Sequence, residues 1–250
     1  QDYDRGVVIG QKSFGKGLVQ RTMPLSYNSQ LKVTIAKYYT PSGRCIQAIN
    51  YAERDEDGKV KRIPDSLRTA FETANGRTVY DGGGIRPDIP IEGRDFHEVS
   101  RALISQSIVF DYANKYYFDH DSVPSPGTFA LTDEEYDAFV AFVREREFEF
   151  KTDTEKKYDQ LLKTAEEEKY FEALEEELGH MKAELDEHKK NDIYKYREEV
   201  EEALRVEIAQ RYYYRPGRIE ASLTDDPTSR EAIRVLLDQE QYSDILTLAD

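Results

Sequence analysis

The residues best placed to do chemistry lie in Ser13-Phe14-Gly15-Lys16-Gly17-Leu18-Val19-Gln20, where one lysine stands between two glycines ahead of an apolar run closed by a glutamine. Glycine has no Cβ, so the backbone beside Lys16 can take positive φ and pass close to another group. Phe14, Leu18 and Val19 offer an apolar wall, and an ammonium sheltered by such a wall is disfavoured in its charged form. A lysine in that setting can serve as a general base. It can take the proton from a serine hydroxyl and so create a nucleophile. The competing reading is a lysine in a surface turn, and composition alone favours it.

Other reactive groups have plainer readings. His97-Glu98 lacks the second histidine of an H-E-x-x-H zinc motif, so charge at a helix N-terminus explains it better. His180 and His188 stand eight residues apart near a helical seam and need not align on a metal. Glu166-Glu167-Glu168 and Glu175-Glu176-Glu177 read as solvated helix faces, and Tyr212-Tyr213-Tyr214 as packing at a helix end. Cys45 is the single cysteine, which excludes an internal disulfide and a cysteine metal cluster. No metal ligands and no cofactor-binding residues are expected.

Four segments carry a family resemblance. They are Gly10 to Gln20 (G-Q-K-S-F-G-K-G-L-V-Q), Leu31 to Thr40 (L-K-V-T-I-A-K-Y-Y-T), Pro41 to Gln47 (P-S-G-R-C-I-Q) and Gly82 to Ile89 (G-G-G-I-R-P-D-I). In this order they resemble the carboxy-terminal processing (tail-specific) serine peptidases, over about residues 6 to 92. The resemblance implies a Ser-Lys endopeptidase that cuts proteins near their C-termini, with a crotonase-like α/β core and a cell-envelope, periplasmic or secreted location. It makes Lys16 the general base and Gln20 the group that holds the lysine amine. Four residues of extended chain span about 13 Å at Cα, so the two long side chains must reach, or the glycine turn must shorten the path. A neutral glutamine can bond the amine without favouring its charge as a carboxylate would.

The resemblance places the nucleophilic serine upstream of the lysine segment, and the only serine before Lys16 is Ser13. Ser13-Phe14-Gly15-Lys16 fits the S-x-x-K pattern of penicillin-binding enzymes, but that pattern needs a helix, and glycines and a β-branched strand surround it here. Ser42 is bracketed by Pro41 and Gly43 as a turn residue. Arg86-Pro87-Asp88 matches the family and reads as structural, fixing the strand that closes the core. The expectation is a chain without its nucleophile, its oxyanion donors or a peptide-binding (PDZ) domain, inactive by itself and completed by an upstream part of the same protein. The alternative is a non-catalytic helical interaction or oligomerisation module.

The bulk properties fit a polar-surfaced chain: charged residues make up 34% and the mean hydropathy is −0.77. Residues 1–95 hold 15 Lys and Arg against 12 Asp and Glu, and residues 96–250 hold 20 against 38. That shift marks a domain boundary near residue 95. An acidic domain repels phosphate backbones, which disfavours nucleic acid as a partner. The expected partners are protein or peptide substrates and further copies of the chain, a homo-oligomer formed through the helical domain.

The elements that must position Lys16 read as strands. Gly6 to Gly10, Leu18 to Pro24, Leu31 to Tyr38, a short strand starting at Cys45, and Thr78 to Tyr80 have the required β-branched or alternating character. A charged excursion over Glu53 to Arg62 turns at Asp57-Gly58, a short helix lies within Ile63 to Asn75 with Leu67, Ala70 and Phe71 inward, and Gly82 to Gly84 makes a flexible turn. Beyond Phe96 the pattern is helical. A stripe of Val99, Leu103, Ile104, Ser107, Ile108 and Tyr112 leads into a linker at Ser122 to Gly127. Thr132 and Glu135 form a capping box for a helix burying Tyr136, Phe139, Val140 and Val143. A long helix from Thr154 to His188 then carries the seam Phe171, Leu174, Leu178, Met181 and Leu185, with Gly179 inside it. It turns at Lys189 to Asp192 into an antiparallel partner carrying Ile193, Tyr196, Val200, Leu204 and Ile208. A last helix starts at Asp226-Pro227 with Ile233, Leu236 and Leu237 inward. The fold class is therefore α+β: a partial crotonase-like core, mainly strands, over residues 1–95, and an acidic all-α domain with a long helical hairpin over 96–250.

Overall fold

A computed structural model describes residues 1–54, 58–93 and 95–247. The chain divides into two compact units, one made of residues 1–93 together with the segment from Asp226 onward, the other ending at Asp225.

The strands of the first unit are β1 (Ile9–Gly10), β2 (Leu18–Pro24), β3 (Gln30–Lys37), β4 (Ile49–Arg54), β5 (Val60–Arg62), β6 (Ala70–Glu72), β7 (Thr78–Tyr80) and β8 (Ile89–Pro90). They pair two by two among the described residues: β1 with β8 in parallel, and β2 with β3, β4 with β5 and β6 with β7 antiparallel. The strand expected from Gly6 shortens to Ile9–Gly10. The Asp88 carboxylate takes the Val8 N–H at 2.8 Å, and the Asp88 N–H donates to the Val8 carbonyl at 2.7 Å. The charged excursion is the end of the β4–β5 hairpin; its expected turn residue Asp57 lies outside the described residues. No α-helix forms within residues 63–75. A single 3-10 turn at Asp65–Leu67 has no side-chain cap, leaves Leu67 72% exposed, and gives way to β6, which the β7 ladder claims.

Residues 45–48, read as the start of a strand, serve a different purpose. They lie between the lysine segment and the glycine triplet. Ala48 N–H donates to Gly15 O at 2.8 Å, Gly82 N–H to Cys45 O at 2.9 Å, and Gly84 N–H to Ile46 O at 2.9 Å; Ser13 N–H closes the set on Ile85 O at 2.9 Å. The approach is so close that two positions demand glycine. At Gly15 (φ +79°) a Cβ would stand 2.6 Å from the Ala48 Cβ, and at Gly84 (φ +77°) it would collide with the Ser13 carbonyl oxygen. The triplet expected to be flexible is therefore buried and locked.

The second unit holds α1 (Glu98–Ser105), α2 (Ile108–Asp119), α3 (Asp133–Arg144), α4 (Asp153–Glu167), α5 (Phe171–Lys189), α6 (Asp192–Lys195) and α7 (Arg197–Leu223). Its core joins Leu103, Tyr112, Phe139, Val200, Leu204 and Ile208, with α7 packed along α2. The capping box of Thr132 and Glu135 starts α3 as expected, and a second one, Thr152 with Glu155, starts α4. The first helical stripe splits at Ser107 (φ +62°), which leaves Ile104 44% exposed. The long helix also breaks, at Lys169 (φ +62°), so the hairpin forms between α4 and α5, tied by the Tyr158 hydroxyl to Leu178 O at 2.9 Å. The seam residues Val200, Leu204 and Ile208 are buried against the α2 side of the core and not against Phe171 to Leu185. The spacing specified a buried stripe; it did not specify the partner. The 122–127 linker is packed too, with Val123 buried and its carbonyl bonded by the Tyr213 hydroxyl at 2.8 Å. Tyr214 (φ +55°) marks a kink inside α7 two residues before Pro216, where the proline ring opposes a helical conformation.

From Asp226 the chain forms α8 (Pro227–Leu237) and α9 (Gln239–Leu246), the latter not foreseen in the sequence. The sequence reading carried the helical domain to residue 250, but these helices belong with the strands. Helix α8 packs on β1, and Asn75 Nδ2 donates to Leu246 O at 2.6 Å. The inward face of α8 is also different: Val235 is buried, while Ile233, Leu236 and Leu237 are 59%, 58% and 82% exposed. No helix among the described residues is long and apolar enough to cross a membrane.

Two outcomes test this packing. Gly84→Ala should lower the stability of the first unit by about 1–3 kcal/mol through backbone strain and the clash at Ser13; an unchanged urea midpoint would contradict the crossing. In the second unit, burial alone would raise the pKa of Glu155, but the Thr152 N–H at 2.8 Å and the Lys189 amine at 3.0 Å outweigh it and bring the pKa down to about 2. A pKa below the unfolded value means stability that is complete above about pH 4.5 and lost as the pH falls toward 2. Glu155→Gln should remove up to about 3 kcal/mol of that pH dependence; identical acid-denaturation slopes for the two proteins would contradict it.

Candidate active site

The glycine crossing fixes the backbone on both sides of Lys16. Gly15 O accepts from Ala48 N–H, and Gly17 N–H donates to Gln47 Oε1 at 2.7 Å. Gln47 is buried, and its amide is oriented by donation from Nε2 to Ile49 O at 2.9 Å. Tyr38 holds the other edge: its N–H donates to Gly17 O at 3.0 Å and its hydroxyl to Lys16 O at 2.5 Å. Every backbone polar atom named here has a partner, so the peptide around Lys16 cannot rotate without breaking several hydrogen bonds.

The side chain then projects outward. Lys16 Nζ donates to Gln20 Oε1 at 3.2 Å. The pairing register of β2 and β3 shifts between Val19 and Gln20, where Ile35 is the additional residue of β3. A bulge of this kind raises the local twist and re-aims neighbouring side chains. The two residues singled out by sequence are thus brought together.

The apolar shelter expected around the amine is not present among the described residues. Lys16 is exposed, and Phe14 and Val19 are 68% and 41% exposed. The reason is architectural. The β2–β3 ribbon is two strands wide, and Met23, Leu31 and Ile35 on it are exposed as well; a lone hairpin has too few layers to bury its own apolar residues.

The two serines near the site serve the backbone. Ser13 Oγ accepts from Ile85 N–H at 2.7 Å, and Ser42 Oγ donates to Asp2 Oδ2 at 2.7 Å. Neither is hydrogen-bonded to Lys16. Asp2 is held well below the usual carboxylate range: burial pushes it up, and hydrogen bonds from Arg44, Thr40 and Ser42 push it down further. In Arg86-Pro87-Asp88 the aspartate bridges Val8 and Arg77 (Arg77 Nη1 to Asp88 Oδ1, 2.8 Å) and so ties β8 beside β1. His97 is the N-cap residue of α1, where its Nδ1 and N–H meet the Glu199 carboxylate at 2.5 and 2.8 Å. Among the described residues no group of three His, Cys, Asp or Glu side chains converges as a metal site requires.

Sequence reasoning missed Gln47 and Tyr38 as the residues that hold the lysine peptide. The available signal was a polar Gln47 closing the run Cys45-Ile46, since a buried amide needs backbone partners.

Comparison with known proteins also separates the strands from the helices near residue 95, but its helical match runs past Asp225 into α8. Residues 1–55 match peptidase family S41, and residues 99–236 match the family described as "Probable PDZ-protease, C-terminal helical domain". A carboxy-terminal-processing protease of Bartonella bacilliformis is 55% identical over 49 residues, 20% of this chain and 11% of that protein. A chloroplastic C-terminal processing peptidase of Tetradesmus obliquus is 45% identical over 72 residues, 29% of this chain and 14% of that protein. A carboxyl-terminal-processing protease of Synechocystis is 49% identical over 41 residues, 16% and 10%. The chain thus matches about a tenth of the length of these relatives. No solved structure matches it. With a family match over more than half its residues, and the lysine segment inside the S41 match, the chain belongs to the carboxy-terminal processing serine peptidases of family S41.

Proposed function

We propose that this chain is the C-terminal portion of a Ser-Lys endopeptidase that cleaves polypeptides near their C-termini, with Lys16 as general base and Gln20 as its positioning residue. The observation that carries the reading is the Lys16 Nζ to Gln20 Oε1 hydrogen bond, made from a peptide anchored on both sides. The nucleophilic serine and the oxyanion donors come from sequence outside the chain described here. The serine hydroxyl attacks the scissile carbonyl, and the Lys16 amine receives its proton. Gln20, a neutral acceptor, keeps the amine aimed without holding it charged. Protonated Lys16 then returns the proton to the leaving amine.

In this reading the exposed apolar side chains around the site, Phe14, Val19 and Ile35 among them, are covered by the remainder of a crotonase-like core, which supplies the shelter a lysine base needs. The substrates are protein or peptide chains, and the location is the cell envelope, periplasm or exterior. The chain alone is inactive.

The test uses the whole peptidase and a polypeptide substrate. Lys16→Ala should lower kcat/KM by at least about 10³-fold, more than the usual contribution of one acid-base group because the nucleophile is also lost. Gln20→Ala should lower it about 10-fold to 100-fold, with the loss mainly in kcat. Cleavage by the Lys16→Ala variant at the unaltered rate, with a folded protein, would remove the proposed base and favour a non-catalytic role for this portion.

A further inference from the structure

Among the described residues, the peptide plane that joins Lys16 to Gly17 is held by side chains alone. Its carbonyl, Lys16 O, accepts from the Tyr38 hydroxyl at 2.5 Å, and its N–H, on Gly17, donates to Gln47 Oε1 at 2.7 Å. In a trans peptide these two groups point in opposite directions, so Tyr38 and Gln47 grip one plane from its two edges. The backbone pairing that leads into β2 and β3 begins one peptide later, with Tyr38 N–H on Gly17 O at 3.0 Å. Any turn of the gripped plane changes ψ of Lys16, and with it the direction of the lysine side chain relative to β2, where Gln20 sits. Glycine on the far side of the plane offers little intrinsic resistance to such a turn, which leaves the two side chains to prevent it.

Gln47 is suited to its half of the grip. It is buried, and a Cβ on Gly17 would stand 2.8 Å from its backbone nitrogen, so the two residues are in close contact. Its amide cannot be reversed. Gly17 N–H can only donate and Ile49 O can only accept, and Nε2 meets Ile49 O at 2.9 Å.

We propose that Tyr38 and Gln47 are positioning residues of the peptidase reaction: by clamping the Lys16–Gly17 peptide they hold the lysine amine on Gln20, where it receives the serine proton. Neither is hydrogen-bonded to the amine; both act through the backbone of the base. The inference rests on the reading of Lys16 as general base. A reacting group misplaced by about 1 Å can cost on the order of 10²-fold in rate, and loosening one edge of the plane should cost part of that.

The test uses the whole peptidase and a polypeptide substrate, with Tyr38→Phe as the first variant. It keeps the ring and the N–H bond to Gly17 and removes only the hydroxyl. Its kcat should fall about 10-fold with KM within about twofold of the unaltered value, because a misaimed base is felt in the chemical step and not in substrate binding. The same change made on top of Gln20→Ala should cost less than about threefold, since both substitutions loosen the same amine. Gln47→Glu is the second variant. An ionised carboxylate still accepts from Gly17 N–H but has no proton for Ile49 O, whereas a protonated one restores both bonds. The ratio of its kcat to that of the unaltered enzyme should therefore rise as the pH is lowered. An unaltered kcat for Tyr38→Phe, losses that simply multiply in the Gln20→Ala background, or a Gln47→Glu ratio flat across pH would each overturn the proposal. Failure of the base itself looks different. If Lys16→Ala cleaves at the unaltered rate, the catalytic reading falls and this inference with it; if Lys16→Ala is inactive while Tyr38→Phe keeps its kcat, this inference alone falls.

Discussion

The close passage of the lysine segment, residues 45–48 and the glycine triplet is the contact on which the first unit depends. Backbone meets backbone at distances that leave no room for a Cβ at Gly15 or Gly84. Glycine costs conformational entropy on folding, and here the return is a peptide held from both sides by Ala48, Gln47 and Tyr38. Lys16 therefore leaves a rigid base although its side chain is exposed. Binding groups set on a fixed backbone keep their aim when the partner arrives, which is the usual requirement for acid-base chemistry.

The two units solve the problem of burial differently. In the second, helices α1, α2, α3 and α7 enclose a core of aromatic and branched residues, and the polar atoms of that core are satisfied inside it: Tyr136 donates to Ile193 O at 2.6 Å and Tyr112 to Glu135 O at 3.1 Å. Burial pushes the Tyr112 hydroxyl up to about 12, so it stays a neutral donor throughout the ordinary pH range. The first unit relies on ion pairs and short ladders. Arg44, 1% exposed, reaches Asp2 at 2.5 Å, and Arg77 bridges Asp4 and Asp88. Such pairs hold geometry more than they add stability, since the loss of hydration offsets much of the attraction. The apolar residues left exposed on β2 and β3 mark the part of this unit with the least packing of its own.

What could be read in the sequence depended on the range of the interaction. Local devices were legible: the Thr132–Glu135 capping box, Pro227 at the first position of α8 and the alternation of β3; the pairing of Lys16 with Gln20 came only from the family resemblance. Partner choice was not. Val200, Leu204 and Ile208 announced a buried stripe, but only the tertiary fold decides that α2 covers it. Ser107 and Lys169 broke helices at positions whose residue types give no warning of positive φ. Ile233, Leu236 and Leu237 were misplaced because a short helix offers two plausible apolar faces, and β1, on which α8 packs, selects the one with Val235. The glycine triplet was read as freedom when its purpose is close approach; both uses follow from the same missing Cβ, and only the neighbour distinguishes them.

Lys16 is exposed here, and the proposed chemistry requires the remainder of the peptidase to enclose its amine. Amine acylation followed by mass spectrometry, applied to this chain and to the whole peptidase, measures that enclosure at Lys16 directly, with exposed Lys32 and Lys37 on the same ribbon as internal standards. The account predicts ready modification of Lys16 in the chain alone and protection of it relative to those standards in the whole peptidase. Equal modification of Lys16 in both, alongside an active enzyme, would contradict it.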